Sequence, residues 1–260
     1  MTAAERTWFA DERHAEMLRL LATDRRVESA QLSMLFGIST ESVRKDLALL
    51  EGRGLLRRVH GGAVPVEPRR AEPHVADRDE HVAEKTAIAR RALQFVPDGG
   101  SLLLDAGSTT LRLAEMLPTE RELVVYTNSW PVGSALHERG IPVVALGGRI
   151  RPVTLAAVGA LTTQALASIN VDVAFLGTNA LSFERGLTTP DADEADVKHR
   201  MLGAARQRVF LVDSSKFGHE SLARHAELTD VDVLITDAGV TAQHRKRLRA
   251  AGVTVEVARP

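Results

Sequence analysis

The chain has 260 residues, of which 44% are hydrophobic, enough apolar material for one large or two ordinary buried cores. It carries 33 Lys and Arg against 34 Asp and Glu, and this balance excludes a wholly basic nucleic-acid coat but not a local DNA-binding patch. The absence of cysteine excludes disulfides, Cys-ligated zinc, iron–sulfur clusters and thiol nucleophiles. A charged N-terminal stretch and the lack of any apolar run of about 18 residues predict a cytoplasmic protein with no membrane span.

Two short helices are predicted near the start of the chain. They cover residues 29–36 and 40–50, with a turn at Gly37 between them and Ser39 as the N-cap of the second helix. Two short helices joined by a glycine-containing turn form a helix-turn-helix, whose second helix can enter the major groove of DNA. Residues 1–66 are therefore predicted to be a DNA-binding domain.

The second helix has an apolar and a polar side. Val43, Leu47 and Leu50 share one face and are expected to pack inward, and Asp46 is interpreted as a structural ion-pair partner. Arginine and lysine can donate to guanine edges or phosphates, and serine can do either. From this helix and its cap we predict DNA contacts by Ser39, Thr40, Ser42, Arg44 and Lys45.

A hairpin is predicted after the second helix. Two β-prone runs, residues 55–60 and 63–66, flank Gly61-Gly62, a pair that favours a primed turn. A hairpin beside a helix-turn-helix is a wing, and Arg57, Arg58 and His60 would contact DNA from it. The alternative is a small solvated helical bundle with a few arginines. The weak positive charge of this segment indicates few phosphate contacts per protomer and favours binding to paired half-sites by a homodimer or homotetramer.

A linker and an α/β domain are predicted downstream. Pro65, Pro68 and Pro73 alternate with charged residues and indicate a semi-rigid linker at residues 67–77. From residue 78 to 260, apolar runs alternate with helical patterns, which is typical of a doubly wound, mostly parallel sheet. The predicted strands are residues 101–104, 123–126, 142–146, 171–176, 209–212, 231–235 and 253–257. The predicted helices are residues 79–95, 109–117, 131–139, 159–168, 193–207 and 241–251.

Small or polar residues follow successive predicted strands. Ligands of open α/β sheets bind outside the carboxyl ends of the strands, so this recurrence favours a binding cleft there. The residues that follow the strands are Asp105, Thr127-Asn128, Gly147-Gly148, Gly177, Asp213 and Asp237.

The most distinctive of these positions is the segment from Asp105 to Thr110, which leads directly into a helix. Gly107 allows close backbone approach, and the hydroxyls of Ser108, Thr109 and Thr110, with the N–H groups of the helix start, suit a phosphate. The alternative is that Ser108 merely caps the helix. No GxxxxGK[ST], strand-linked GxGxxG or HExxH pattern occurs, so we expect no nucleotide cofactor and no metal.

Several charged residues remain ambiguous. Glu194 and Lys198 are four residues apart and could simply form a surface helical pair. Lys216 and Lys85 could each supply a cation to an anionic ligand or be solvated.

The front of the chain resembles the DNA-binding signature of the DeoR family of bacterial transcriptional regulators. The resemblance rests on Arg13-His14, Leu35-Phe36-Gly37-Ile38-Ser39, Ser42-Val43-Arg44-Lys45-Asp46-Leu47 and Gly54-Leu55-Leu56-Arg57-Arg58-Val59-His60-Gly61-Gly62. The family usually has Thr-Ile-Arg-Arg-Asp-Leu where this chain has the segment from Ser42 to Leu47. The departures keep size and charge, so they bear on the operator sequence rather than on DNA binding.

The rest of the chain resembles the C-terminal sensor domain of that family. The matching motifs are Leu104-Asp105-Ala106-Gly107-Ser108-Thr109-Thr110, Thr127-Asn128, Leu146-Gly147-Gly148, Gly186-Leu187-Thr188-Thr189, Glu194-Ala195 with Lys198, and Asp213-Ser214-Ser215-Lys216-Phe217. The resemblance implies a fold similar to ribose-5-phosphate isomerases and glucosamine-6-phosphate deaminases, and a phosphorylated sugar as effector. It implies phosphate-side roles for Asp105, Gly107, Ser108, Thr109 and Thr110. It implies other pocket roles for Thr127, Asn128, Gly147, Gly148, Glu194, Lys198 and Lys216.

Together these observations predict a regulator, most simply a repressor of a carbohydrate-use operon, whose affinity for double-stranded operator DNA is controlled by a phosphorylated sugar. One alternative is a sugar-phosphate isomerase or deaminase with a DNA-binding appendage, in which Asp213 or Glu194 acts as a general base. Another is a constitutive DNA binder with a vestigial pocket. No catalytic residue is singled out by the sequence.

Overall fold

The computed structural model describes residues 8–24, 26–52, 55–59, 61–65, 74–75 and 80–259. The chain divides into two compact units, Met1–Ala71 and Glu72–Pro260. Of the predicted linker at residues 67–77, only residues 74 and 75 are among those described. No helix in the described ranges is both long and apolar enough to cross a membrane.

The N-terminal unit is a winged helix-turn-helix, as the sequence predicts. Its helices are α1 (Ala10–Asp24), α2 (Ser29–Phe36) and α3 (Thr40–Gly52), and its strands are β1 (Val27–Glu28), β2 (Leu56–Val59) and β3 (Gly62–Pro65). The three strands form an antiparallel sheet in the order β1-β3-β2. Apolar residues of all three helices and three strands share one core, made of Met17, Leu21, Val27, Leu32, Phe36, Val43, Leu47, Leu50, Leu56 and Ala63.

The wing differs from its prediction in the place of its turn. Val59 pairs with Gly62, so Gly62 belongs to β3 and only Gly61 of the two glycines lies in the turn, with φ +83°. A Cβ added to Gly62 would lie 1.9 Å from the carbonyl oxygen of Val27 in β1. Gly62 is therefore required because the backbone of the neighbouring strand β1 approaches it closely, a neighbour that the sequence pattern did not reveal.

The C-terminal unit is built on a seven-stranded sheet in which every paired strand is parallel. All seven predicted strands are present, in the order β15-β14-β12-β9-β4-β5-β6. Their bounds are β4 (Gly99–Leu104), β5 (Glu122–Thr127), β6 (Val143–Ala145), β9 (Val171–Leu176), β12 (Ala205–Leu211), β14 (Val233–Asp237) and β15 (Thr254–Ala258). This arrangement confirms the predicted doubly wound α/β fold.

Helices cover both faces of this sheet. Successive residues of a strand point to opposite faces, so Leu102 and Leu104 of β4 pack in one core and Leu103 packs in the other. The first core includes side chains of α4 (Val82–Ala92), α5 (Ser108–Met116) and α6 (Trp130–Glu138), and the second includes side chains of α7 (Ala160–Ala167), α8 (Ala192–Gly203) and α9 (Ala242–Ala250). The continuous apolar runs in the sequence arise from this double burial.

One helix prediction is too long, and two small sheets were not predicted. The helix expected over residues 193–207 ends at Gly203, because the chain from Ala205 onward pairs with β9. Tertiary pairing here overrides local helical preference. The small sheets are a hairpin of β7 (Arg149–Arg151) with β8 (Ala156–Val158), and an antiparallel group of β10 (Ala180–Ser182), β11 (Gly186–Thr189) and β13 (Ala223–Ala226). Strands of three or four residues are too short to give a readable alternation.

The order of the strands fixes where a ligand can enter. The chain runs from β4 outward through β5 and β6, then returns to place β9 on the other side of β4 and continues outward through β12, β14 and β15. The direction of winding therefore reverses between β4 and β9. The carboxyl ends of these two strands, at Leu104 and Leu176, form the topological switch point, where doubly wound proteins bind their ligands.

Candidate functional site

The exposed side of α3 presents the predicted DNA contacts. Val43, Leu47 and Leu50 are fully buried, as expected, and Arg44 and Lys45 lie on the exposed side. The Arg44 guanidinium lies 3.6 Å from Glu41, and both side chains are about two-thirds exposed. Such an exposed pair is weak, so it leaves Arg44 available to a nucleic-acid partner.

The start of α3 is fixed by the predicted cap. The backbone N–H of Ser42 donates to the Ser39 hydroxyl over 3.1 Å, and the two hydroxyls lie 3.0 Å apart. Thr40, the first residue of α3, is exposed beside them. These three predicted contact residues therefore lie together at the N-terminal end of the helix, the end that carries a partial positive charge.

Asp46 anchors α3 on α1, which confirms its interpretation as a structural residue. Its carboxylate accepts from Arg13 Nε over 2.9 Å and lies 3.1 Å from His14 Nε2. All three side chains are largely buried. Arg13 and His14, which begin the recognised motif, therefore orient the helix rather than face DNA.

The wing brings a further cation beside α3. The Arg58 backbone N–H donates to Glu51 of α3 over 2.7 Å, while the Arg58 side chain is about half exposed. A hollow lies between α3 and the wing. Its walls are formed by Ser29, Arg44, Leu47, Arg58, Val59, Gly61 and Gly62. The predicted contacts Arg57, for its side chain, and His60 lie outside the described residues.

A buried ion pair occupies the switch point of the C-terminal unit. Asp105 follows β4, Lys198 lies on α8, and the Lys198 ammonium donates to Asp105 Oδ2; their side chains are 1% and 5% exposed. The same ammonium donates to the Gly177 carbonyl over 3.2 Å, and the Gly177 N–H donates back to Asp105 Oδ2 over 3.0 Å. Asp105 Oδ1 accepts from the Ala106 N–H. The pair thus clamps the ends of β4 and β9 together.

A polar cavity of about 170 Å³ opens beside this pair. The first turn of α5 forms one wall, and three lysines with residues after β9 and β12 form the others. Its walls are formed by Glu80, Lys85, Ala106, Gly107, Ser108, Thr109, Thr110, Gly177, Thr178, Asn179, Lys198, Leu211, Asp213 and Lys216. An ammonium has three donors, and the bonds of Lys198 to Asp105 and Gly177 leave the third for the cavity that it lines.

The start of α5 has no side-chain cap, so the alternative that Ser108 merely caps the helix is wrong. Gly107 is the N-cap residue, and among the residues that the structure describes no side chain caps the start of the helix. Thr110 is fully buried, and its hydroxyl donates to the Gly107 carbonyl over 2.9 Å. The first-turn N–H groups and the hydroxyls of Ser108 and Thr109 are therefore placed to receive an anion.

The loop after β12 brings Lys216 to the cavity. Asp213 is buried and accepts from the backbone N–H and the hydroxyl of Ser215, and Lys216 lies 3.8 Å from its other oxygen. Asp237, the last residue of β14, holds the same loop by accepting from the Ser214 N–H over 2.6 Å. Burial opposes the charge of Asp237, but its hydrogen bonds from Ser214 and Gly239 keep the pKa of the carboxyl below its usual value.

Four predicted pocket residues lie away from this cavity. Thr127, at the end of β5, donates to the Leu104 carbonyl over 2.7 Å, and the Asn128 amide donates to the Ala157 carbonyl over 3.1 Å. The Gly147 carbonyl accepts from Thr162, and a Cβ on Gly148 would lie 2.2 Å from the Thr162 hydroxyl. In the structure these residues join β4, β5, the β7–β8 hairpin and α7.

Glu194 is also absent from the cavity wall, and the alternative of a surface pair with Lys198 is wrong. Both side chains are about 5% exposed and bond to different partners. Glu194 accepts from the Thr154 hydroxyl over 2.6 Å and from Arg151 over 3.4 Å. Helical spacing placed the two residues on one face, but it did not indicate that this face is buried.

Three polar cavity residues were missed. Thr178 and Asn179 follow Gly177, which the sequence did single out, so extending that motif by two residues would have found them. Glu80 precedes α4 and carries no signal in the sequence. No group of three acidic or histidine side chains in the described ranges is placed to hold a metal ion.

A histidine is buried behind the cavity wall. His225 of β13 is 1% exposed, its Nε2 lies 3.0 Å from the Thr178 hydroxyl, and its ring stacks on Phe210. Burial, followed by the positive charge of Lys198, lowers the pKa of His225 well below its ordinary value of 6.5. The imidazole is therefore neutral near pH 7, and its hydrogen bond with the Thr178 hydroxyl supports this part of the cavity wall.

We expect the stability of the C-terminal unit to fall below pH 6.5 because His225 must stay neutral in the folded state. An unfolded histidine gains a proton near pH 6.5, so the stabilisation is complete above that pH and is lost as the pH falls. Between pH 7.5 and 5.5 this group alone should lower the free energy of unfolding by on the order of 1 kcal/mol. Denaturation at the two pH values measures this change. Between them, the free energy of unfolding of His225→Gln should fall by that much less than that of the parent protein. The exposed His137→Gln should match the parent, and equal losses in all three proteins would contradict the assignment.

Comparisons with known proteins agree with both units. The family model described as the DeoR-like helix-turn-helix domain matches residues 13–69, and that of the DeoR C terminal sensor domain matches residues 80–238. The chain is 38% identical over 247 residues to the HTH-type transcriptional regulator GlpR of Haloferax volcanii, covering 94% of this chain and 96% of the relative. It is 32% identical to the transcriptional repressor AccR of Agrobacterium fabrum, over 88% of this chain and 90% of that one. It is 31% identical to the HTH-type transcriptional repressor GlcR of Bacillus subtilis, over 88% and 89%.

Among solved structures, ribose 5 phosphate isomerase A from Neisseria gonorrhoeae aligns with 51% of this chain and 52% of its own, at 19% identity and a TM-score of 0.38.

A winged helix-turn-helix and an α/β unit with a polar pocket at its switch point together make a DNA-binding transcriptional regulator with a small-molecule sensor domain. The relatives that cover almost the whole chain are themselves named as transcriptional regulators or repressors. The chain belongs to the DeoR family of transcriptional regulators.

Proposed function

We propose that the protein is a repressor that binds double-stranded operator DNA and is controlled by a phosphorylated sugar in the switch-point cavity. The observation that carries the proposal is the pairing of an uncapped helix start with lysines around one cavity. Ser108 and Thr109 supply hydroxyls, and Lys198 and Lys216 supply cations from two other elements. Donors that converge from separate elements on one point suit the oxygens of a phosphate group.

The carbohydrate part of the ligand would face the remaining walls. Asn179 and Thr178 follow β9, and Asp213 follows β12, so polar groups capable of bonding to sugar hydroxyls surround the phosphate position. The family resemblance supports a phosphorylated sugar as the ligand class, and Gly107 allows it to approach the backbone.

We propose that the protein binds the phosphorylated sugar without catalysing a reaction. The two carboxylates that the sequence offered as a general base are both held by hydrogen bonds, Asp213 by Ser215 and Glu194 by Thr154. Incubation with ribose 5-phosphate or glucosamine 6-phosphate should therefore give binding without turnover. A regulator works where the DNA is, so we place its action in the cytoplasm.

On the DNA side, α3 would lie in the major groove with Arg44 and Lys45 at base edges or phosphates. Arg58 would contact the backbone from the wing. The few cations of one such unit favour paired half-sites, so we propose that a homodimer or homotetramer is the active form.

The test is a fluorescence anisotropy titration on DNA from upstream of the protein's own coding sequence. The titration is repeated with ribose 5-phosphate, fructose 1-phosphate, glycerol 3-phosphate and glucosamine 6-phosphate. We expect one of them to weaken binding about fivefold to 150-fold, since couplings of about 1–3 kcal/mol are usual. The double substitution of Ser108→Ala with Thr109→Val should remove the response and keep operator affinity.

Lys45→Ala is the complementary variant. It should weaken DNA binding while the same phosphosugar still raises the temperature of unfolding. Operator affinity that no phosphosugar changes, with no thermal stabilisation by any of them, would refute the sensor proposal. Loss of DNA binding in the pocket variant would show that the cavity supports the fold rather than the response.

A further inference from the structure

The tip of the β7–β8 hairpin contacts the chain segment that comes from the N-terminal unit. Val75, four positions after the end of that unit at Ala71, donates its N–H to the Val153 carbonyl over 2.8 Å. Val153 lies in the hairpin turn, between Arg151 at the end of β7 and Ala156 at the start of β8. Val75 itself belongs to the C-terminal unit, so this hydrogen bond ties the connecting segment, at the point where it has entered that unit, to the hairpin turn.

The next residue of the same turn points into the C-terminal unit. The Thr154 side chain is 3% exposed and donates to Glu194 Oε1 over 2.6 Å. Leu155, which follows, has φ +52°, a left-handed conformation that is uncommon for a leucine and makes the turn tight. Adjacent residues of one turn therefore hold the connecting segment on one side and Glu194 on the other.

Arg151 fixes the base of this turn to α8. Its guanidinium is 12% exposed and lies 3.1 Å from Asp191, the N-cap of α8, and 3.4 Å from Glu194. Thr154 and Arg151 are thus among the groups that stabilise the buried charge of Glu194. A change in the hydrogen bonding of Glu194 therefore acts directly on the hairpin.

Glu194 also connects to the cavity through Thr189 of β11. The Thr189 hydroxyl lies 3.0 Å from Asn179 Oδ1 and 3.4 Å from Glu194 Oε2. It has one proton, so it can donate fully to only one of these acceptors. Asn179 lines the cavity, so an anion there would accept from Asn179 Nδ2, while Thr189 donates to Oδ1 of the same amide. An anion that draws this amide toward itself would lengthen the bond from Thr189 to Oδ1.

We propose that Glu194 is a positioning residue that transmits occupation of the cavity to the connecting segment at Val75. When an anion accepts from Asn179 Nδ2 and draws the amide into the cavity, the Thr189 hydroxyl turns from Asn179 Oδ1 to donate to Glu194 Oε2, and the Glu194 charge is then less available to Thr154 and Arg151. The hairpin turn loosens, and so does its hydrogen bond to Val75. This inference rests on the proposed function, because it assigns a route by which a ligand in the same cavity affects the connecting segment.

The test is amide hydrogen exchange at Val75 in the full chain, with inorganic phosphate as the probe. In the parent protein, saturating phosphate should speed exchange at Val75 about threefold or more, within the range of couplings carried by contact networks. Thr189→Val keeps the shape of a buried side chain but lacks the hydroxyl. It should bind phosphate normally, with unchanged thermal stabilisation, and lose the change at Val75.

Glu194→Gln and Asp193→Asn form the matched pair. Glu194→Gln should give fast exchange at Val75 with or without phosphate, because Thr154 and Arg151 lose their charged partner. Asp193 is the neighbouring residue of α8 and pairs with Arg149 of the same hairpin, but on the surface, with both side chains more than half exposed. Asp193→Asn should behave like the parent protein.

The outcomes separate this inference from the proposed function. Phosphate that binds without changing exchange at Val75, or a full response in Thr189→Val, overturns the route and leaves the sensor proposal standing. Slow exchange at Val75 in phosphate-free Glu194→Gln likewise overturns it. Failure of phosphate to stabilise the parent protein against heat counts against the cavity itself, and the route falls with it.

Discussion

Lys198→Met should lower the free energy of unfolding of the C-terminal unit by about 3–5 kcal/mol, because it leaves the Asp105 carboxylate buried without its cation. Asp105 is 1% exposed, and the substitution leaves it only the N–H groups of Ala106 and Gly177. The clamp between the ends of β4 and β9 is lost at the same time. Chemical denaturation followed by circular dichroism measures the change.

Lys216→Met is the matched control. Its ammonium also lines the cavity, but the side chain is about one-third exposed and its distance from Asp213 is 3.8 Å, so its removal should cost less than about 1 kcal/mol. The double variant Lys198→Met with Asp105→Asn should recover part of the loss, since no unpaired charge then remains buried. Equal stability of the two single lysine variants would contradict the burial argument.

Gly62→Ala should destabilise the N-terminal unit by about 3 kcal/mol, the upper range for overpacking. The added methyl group would lie 1.9 Å from the Val27 carbonyl oxygen, a backbone atom held by the pairing of Val27 with Ala63. Relief requires that β1 separate from β3. Because the wing carries three of the eight predicted DNA contacts, operator affinity should fall together with stability.

Gly61→Ala tests the same prediction from the neighbouring position. Nothing lies within 4 Å of a Cβ added there, and the cost arises only from φ +83°, so we expect a loss of about 1 kcal/mol. The comparison is made by thermal unfolding of the full chain and by anisotropy on operator DNA. If Gly61→Ala proved the more damaging of the two, the close approach of β1 would not be what requires Gly62.

The fold was predictable from the sequence because its strands are buried on both sides. Runs such as residues 171–176 are continuously apolar, and helical patterns between them leave a parallel sheet as the simple solution. The winged unit was predictable because capping, turn and inward-facing residues are all local: Ser39, Gly37 and Leu47 each act within a few positions.

The site was only partly predictable, because strand order is not local. Thr127 and Asn128 follow a strand just as Asp105 does, but β5 lies one strand away from the point where the winding reverses. Nothing in the sequence gives that order. Residues of the segment from Gly107 to Thr110 are at the cavity because their strand is β4, and Lys198 is there because α8 packs over β9.

Burial was equally hard to predict. Glu194 and Lys198 have the spacing of a solvated pair, and only the packing of α8 against the hairpin and the switch point turns them inward to separate partners. Gly62 was interpreted as a turn residue because the strand that contacts it, β1, is distant in the sequence: Val27 lies 35 positions upstream.

The bond between Lys198 and Asp105 has a consequence for selectivity. An anion that enters the cavity must compete with the Asp105 carboxylate, because this carboxylate already neutralises the Lys198 ammonium. A neutral sugar would gain only a hydrogen bond from the third donor of this ammonium, and a singly charged acid would gain little from a cation that is already neutralised. We therefore expect the cavity to prefer dianions to monoanions and to neutral sugars.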